Sequence, residues 1–188
     1  MTVPTLLTWL RMAAIPLIVG VYALPSHWIS LPERNAVAAC LFVLAALTDW
    51  FDGFLARRWN QVSAFGAFLD PVADKLMVSA ALLVLLQLGR IGSLVALIII
   101  GREIAISALR EWMARIGRSR AVAVNWLGKV KTATQMVAIP LLLLDLRPIG
   151  WMATAQWGGW LLDVAAGLTL WSMLYYFKLA LVGIKLSD

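Results

Sequence analysis

The stretch that decides the fold is Thr48-Asp49-Trp50-Phe51-Asp52-Gly53, followed by Phe68-Leu69-Asp70-Pro71-Val72-Ala73-Asp74-Lys75. Four carboxylates sit here inside two otherwise apolar runs. An ionised Asp in a membrane-spanning helix costs about 2.5–3.5 kcal/mol on insertion scales, so four of them require a purpose. Asp49 and Asp52 are spaced i, i+3, and Asp70 and Asp74 are spaced i, i+4. Each pair therefore occupies one face of its helix. If the first run ends at one aqueous face and the second starts back from it, the two pairs meet there. Carboxylates brought together repel unless they keep their protons or a cation sits among them.

The rest of the chain supplies the membrane for those helices. Of 188 residues, 62% are hydrophobic and only 14% are charged. Mean hydropathy is +0.86. Soluble domains are usually about 45–50% apolar, so this excess points to a bilayer as solvent. The length suits one domain spanning residues 1–188. Six stretches approach the roughly 20 apolar residues that a span needs. They are Leu6–Leu24, Asn35–Arg57, Phe65–Leu88, Ile91–Met113, Val122–Leu144 and Trp157–Ala180. The expected fold class is all-α, a polytopic membrane protein with six transmembrane helices. Pro25, Pro32, Gly89, Gly117, Pro148 and Gly150 mark the breaks. The first stretch, interrupted by Arg11, lacks a basic start and a small-residue cleavage site, and reads as a retained helix.

Lys and Arg set the orientation. With the N-terminus in the cytoplasm, the inner connections carry Arg57 and Arg58, then Arg115, Arg118 and Arg120, with Lys129 and Lys131 beyond. The tail adds Lys178 and Lys185, and the three outer connections hold one Arg each, Arg34, Arg90 and Arg147. Both termini are expected inside. Trp28, Trp59, Trp126, Trp151, Trp157 and Trp160 fall near the interfaces, where amphipathic rings settle. The net charge of +6 suits an aqueous face that meets anionic lipid or phosphate.

Cys40 lies in an apolar run, and the only histidine, His27, lies in a short polar connection. Zinc, which prefers Cys and His ligands, is not expected. Oxygen-only carboxylate ligation suits Mg²⁺, Mn²⁺ or Ca²⁺. Mg²⁺ commonly binds through a few carboxylates together with substrate phosphates, so the site points to a phosphate-bearing substrate. The residues between the Asp pairs agree. Gly53 and Ala56 leave a groove on one helix, Gly66 is a second small position, Arg57 offers a planar fork for phosphate, and Ser63 offers a hydroxyl. Singly, such small residues more often mean helix packing.

Taken together, Asp49-x-x-Asp52-Gly53-x-x-Ala56-Arg57, eight residues, then Gly66-x-x-x-Asp70-x-x-x-Asp74 resembles the signature of the CDP-alcohol phosphatidyltransferase family. Every fixed position is filled. The resemblance implies a six-helix membrane enzyme, commonly a homodimer, with a cytoplasm-facing site. It implies that Asp49, Asp52 and Asp70 ligate Mg²⁺ or Mn²⁺, with Asp74 as further ligand and general base. It places the CDP-lipid against Asp49, Gly53, Ala56, Arg57, Ser63 and Gly66.

The acceptor is read from the wider chain. The opening Pro4–Arg11, the run Thr48–Lys75, the stretch Arg102–Met113 and the segment Gly128–Thr132 resemble the bacterial branch of that family that uses sn-glycerol 3-phosphate, with CDP-diacylglycerol as donor. That likeness implies the inner membrane of a Gram-negative bacterium and no nucleic-acid partner. One departure is Thr2, where Asn is expected before Pro4. A dianionic acceptor needs fixed positive charge. Arg102 is the best candidate, because a mid-helix Arg must find a partner, either Glu103 or an Asp of the site. Arg110, Lys129 and Lys131 are further candidates, each equally readable as an inner-face anchor, and the two lysines point to different faces. Rival readings remain: transfer to inositol phosphate, to serine or to form cardiolipin, or a divalent-cation transporter that uses the Asp cluster as a transit site. A transporter does not require Gly53, Arg57 and Gly66 at fixed offsets.

Overall fold

In a computed structural model the described residues are 3–59, 64–117, 126–146 and 153–185. Within these ranges, the side chains of 3–7, 50, 52–59, 64, 65, 67, 126–129, 175–177 and 179–185 lie outside the description. The described chain is all-α. It comprises α1 (Val3–Ala23), α2 (Leu31–Trp59), α3 (Ala64–Gln87), α4 (Ser93–Arg115), α5 (Trp126–Leu144) and α6 (Thr154–Lys185).

The helices extend beyond the apolar stretches where local chemistry allows it. Helix α2 starts four residues before Asn35 because Ser30 and Glu33 form its N-terminal cap. Both the backbone N–H and the hydroxyl of Ser30 donate to Glu33 Oε2, at 2.8 and 2.7 Å. This occupies groups that a helix start otherwise leaves without partners. Pro32, expected as a break, lies instead in the first turn of α2, where a missing N–H costs nothing. Helix α3 stops at a left-handed residue, Gly89 (φ +68°). There Gly89 N–H donates to Leu86 O and Arg90 N–H to Leu85 O, which closes the exposed carbonyls. Pro16, Pro71 and Pro140 lie inside α1, α3 and α5.

All six helices feed one apolar core. It holds Ile18, Phe42, Met77, Leu82, Leu85, Ile99, Ile139, Leu142 and Leu162, each fully buried. Helix α1 packs on α2 and α3, α5 packs on α2 and α6, and α4 packs on α3 and α6. The α5–α6 contact is tight at Gly158, where an added Cβ would stand 2.7 Å from Leu142 Cγ and 2.9 Å from Ala138 O. Small residues allow this backbone approach. The outer faces are also apolar: Leu17, Leu44, Leu83, Leu97, Ile104, Val164, Trp171 and Leu174 are exposed. Among the described residues, one helical stretch, Leu31–Asp49, is long and apolar enough to cross a membrane, while Thr8–Ala23 and Val130–Leu144 are shorter apolar helices. Trp28, Trp157 and Trp160 are exposed, whereas Trp59, Trp126 and Trp151 lie outside the described side chains.

One cross-chain fastening lies at the end of α3 and α5. Arg90, just past α3, donates from Nη1 to the carbonyls of Leu142 and Leu143, at 2.8 and 2.7 Å. Its Nη2 pairs with Asp145 at 3.3 Å. The guanidinium thereby occupies carbonyls at the C-terminus of α5 and complements its dipole.

Candidate active site

Three of the four expected carboxylates have described side chains, and one buried cation gathers two of them. Arg11 on α1 has no solvent exposure. Its Nη1 lies 2.8 Å from Asp49 Oδ1 on α2 and 2.7 Å from Asp74 Oδ1 on α3. The same nitrogen holds both oxygens, so carboxylates from two helices stand within two hydrogen-bond lengths of each other. One turn earlier on the same face of α1, the Thr8 hydroxyl donates to Asp70 Oδ1 at 2.7 Å. Helix α1 thus contributes a Thr8-x-x-Arg11 pair that touches Asp49, Asp70 and Asp74 together. Asp49 and Asp74 are each about two-fifths exposed, at 42% and 38%, so an oxygen of each remains within reach of a ligand.

Among the described residues no three Asp, Glu, His or Cys side chains form a closed metal-ligand group. Asp52, the remaining carboxylate, lies on α2 with its side chain outside the described residues. The donor chemistry nevertheless fits a hard cation. A cationic nitrogen seated between two carboxylate oxygens of different helices stands where positive charge is most favoured, and all the donors are oxygen. Of the other residues expected at the CDP-lipid, Gly66 is buried on α3. Gly53, Ala56 and Arg57 lie on α2 with undescribed side chains, and Ser63 lies outside the described residues.

A cavity of about 410 Å³ opens beside Asp74. Its polar lining comes from three helices: Asp74 and Lys75 on α3, Arg102, Glu103, Ser107 and Arg110 on α4, and Thr132 and Gln135 on α5. Arg102 is 6% exposed. Its Nη1 donates to Glu103 Oε1 at 3.3 Å and its Nη2 to Ser172 Oγ at 3.1 Å. Of the two partners expected for Arg102, the structure therefore supplies Glu103, with Ser172 of α6 as a second that the sequence did not indicate. Arg110 lies one side of the same cavity. Lys131 is 1% exposed and is not among the lining residues. It stands behind Glu103 and pairs with Glu103 Oε1. Glu103 is thus held between two cations, Lys131 and Arg102. Lys129 lies on α5 with its side chain outside the described residues.

Arg11, Thr8 and Gln135 are the residues that the sequence reading passed over. Arg11 registered only as an interruption of an apolar stretch. The cost argument that singled out Arg102 applies equally to it, and would have marked it as a residue with a buried partner.

The chain matches the model of the CDP-alcohol phosphatidyltransferase family over residues 1–171. It is 52% identical over 180 residues to the CDP-diacylglycerol–glycerol-3-phosphate 3-phosphatidyltransferase of Salmonella choleraesuis (strain SC-B67), covering 95% of this chain and 94% of that one. The protein of the same description from Escherichia coli (strain K12) is likewise 52% identical over 180 residues, with the same coverage. The chain therefore belongs to the CDP-alcohol phosphatidyltransferase family.

Proposed function

We propose that the protein transfers the phosphatidyl group of CDP-diacylglycerol to sn-glycerol 3-phosphate, giving phosphatidylglycerophosphate and CMP, a step towards phosphatidylglycerol and cardiolipin. The observation that carries this reading is that Asp74 faces both ways. It is gathered with Asp49 at Arg11, and it lines the cavity that also holds Arg102 and Arg110. In this reading Asp74 is the base, with the donor on its Asp49 side and the acceptor on its Arg102 and Arg110 side. The near full-length relatives carry this activity in their names.

In this reading residues 1–188 form one membrane domain with six spans, both termini and the site at the cytoplasmic face of a bacterial inner membrane. The exposed apolar residues on the outer faces of the bundle then meet lipid tails. An apolar groove of about 220 Å³ between α1 and α2 suits an acyl chain, because it is lined by Leu10, Leu17, Leu41 and Leu44 and ends at Arg11 and Thr48, next to Asp49. The CDP head lies at the aqueous mouth, against Asp49, Gly53, Ala56, Arg57, Ser63 and Gly66. The enzyme acts as a homodimer.

Asp49, Asp52, Asp70 and Asp74 would hold a divalent cation such as Mg²⁺ or Mn²⁺, which would supply positive charge against the diphosphate. The protein's own residues do the rest. Arg102 and Arg110 hold the acceptor phosphate, and Lys131 acts on it through Glu103, whose charge it compensates. Asp74 takes the proton from the free primary hydroxyl. That oxygen bonds to the phosphorus bearing diacylglycerol as the phosphorus–oxygen bond to CMP breaks. Such chemistry depends chiefly on positioning and electrostatics.

The test is an acceptor panel. Purified protein with CDP-diacylglycerol and Mg²⁺ should release CMP with glycerol 3-phosphate, and not with serine, inositol phosphate or phosphatidylglycerol. Release with one of the latter three alone would replace the acceptor and keep the family chemistry.

A further inference from the structure

Two residues that line the acceptor cavity each bury a hydrogen-bond donor with no acceptor among the described residues. Gln135 on α5 is 3% exposed and lines the cavity, and its Nε2 has no hydrogen-bond partner among the described residues. Arg102 Nε, on the opposite wall, is in the same position, although both terminal nitrogens of that guanidinium are engaged. A buried donor left unmade costs about 1–3 kcal/mol. A leucine or methionine at position 135 would fill the same volume without that cost. The amide is therefore explained by a polar atom that arrives with a ligand.

The charge balance indicates which atom. Arg102, Arg110 and Lys75 line the cavity against the carboxylates Asp74 and Glu103, so the lining is already net positive towards a phosphate. Gln135 adds no charge. Its amide carries a donor and an acceptor side by side, which matches a hydroxyl, itself both donor and acceptor. Glycerol 3-phosphate has two hydroxyls. The primary one must face Asp74 to react, so the secondary one is left for another partner.

We infer that Gln135 is a specificity-determining residue of the acceptor subsite, its side-chain amide hydrogen-bonding the secondary hydroxyl of the acceptor. The inference rests on the proposed acceptor and deepens it. It predicts discrimination by a polar contact: a site built to bond a hydroxyl rejects the analogue that lacks it, because the buried amide is then left unpaired.

The experiment compares glycerol 3-phosphate with propane-1,3-diol monophosphate, identical except for the missing secondary hydroxyl. CMP release is measured for wild type and for Gln135→Met, with CDP-diacylglycerol saturating. Wild type should favour glycerol 3-phosphate in kcat/KM by at least about tenfold, and Gln135→Met should shrink that ratio to within about twofold. The ratio is insensitive to the fraction of protein folded, since both acceptors see the same preparation. Gln135→Asn, which keeps the amide but withdraws it by one methylene, should give an intermediate ratio, and it serves equally should Gln135→Met fold poorly. A ratio unchanged in both variants, with kcat lowered alike for the two acceptors, would mean that Gln135 is structural and would overturn the inference alone. No CMP release from wild type with either acceptor would overturn the proposed acceptor and this inference with it.

Discussion

Arg11 donates to Asp74 across 2.7 Å, joining residues 63 positions apart in the chain. The contact fixes α1 against α3 at the place where the chemistry is proposed. It also gives Asp74 a counter-ion that it shares with Asp49.

That relationship sets the consequence of losing Arg11. Arg11→Gln leaves Asp49 and Asp74 facing each other without the buried cation. Breaking a fully buried pair costs about 3–5 kcal/mol. The partial exposure of both carboxylates reduces this, and a loss of about 2 kcal/mol in unfolding free energy is expected. CMP release should fall at least tenfold. Arg11→Lys, a point charge in place of a fork, should recover part of the stability. Denaturation in detergent micelles alongside turnover checks both, and a fully active Arg11→Gln would remove Arg11 from the site.

Asp74→Asn tests the base directly. The amide keeps the shape and cannot take a proton, so turnover should vanish while binding of CDP-diacylglycerol persists. Binding can be followed by protection against thermal unfolding. Full activity in Asp74→Asn would show that another group removes the proton.

Lys131 offers a prediction with an unusual sign pattern. It does not reach the cavity, but it compensates Glu103, which does. Lys131→Met should expose the acceptor phosphate to the partly uncompensated charge of Glu103, raising KM for glycerol 3-phosphate about tenfold or more. KM for CDP-diacylglycerol should stay put. Adding Glu103→Gln should restore most of the loss, since the repulsion then has no source. An additive double mutant would instead place Lys131 on the phosphate itself.

At the α5–α6 contact, Gly158→Ala should destabilise the bundle by about 1–3 kcal/mol, because the new methyl group meets backbone as well as the Leu142 side chain. Thermal unfolding measures this. Gly159→Ala, where an added Cβ meets nothing within 4 Å, is the control and should be near neutral.

The Asp spacing was legible because charge inside an apolar helix is costly, so Asp49, Asp70 and Asp74 announce themselves one by one. Helical period then places each pair on a face. Long-range partnership is not encoded that way. Nothing local ties Arg11 to Asp49 or Asp74, and the polar residue one turn before it, Thr8, is too common in helices to stand out. Gln135 is invisible for a related reason. A neutral amide in a helix costs little unless it is buried and unpaired, and burial depends on the helices that pack around α5. Helix ends were also misjudged where capping overrides hydropathy, as Ser30 and Glu33 do ahead of Asn35.

The Arg90 fastening lies about sixteen residues along α3 from Asp74, roughly 24 Å at helical rise. The bundle therefore has an anchored end and a working end, and the two draw on different residues. Costs incurred at the working end, such as orphan donors and crowded carboxylates, are met by bonds that no substrate ever touches. This separation leaves the cavity free to be recut for another acceptor by substitutions that need not disturb the fastening, a reserve from which new specificity can be selected.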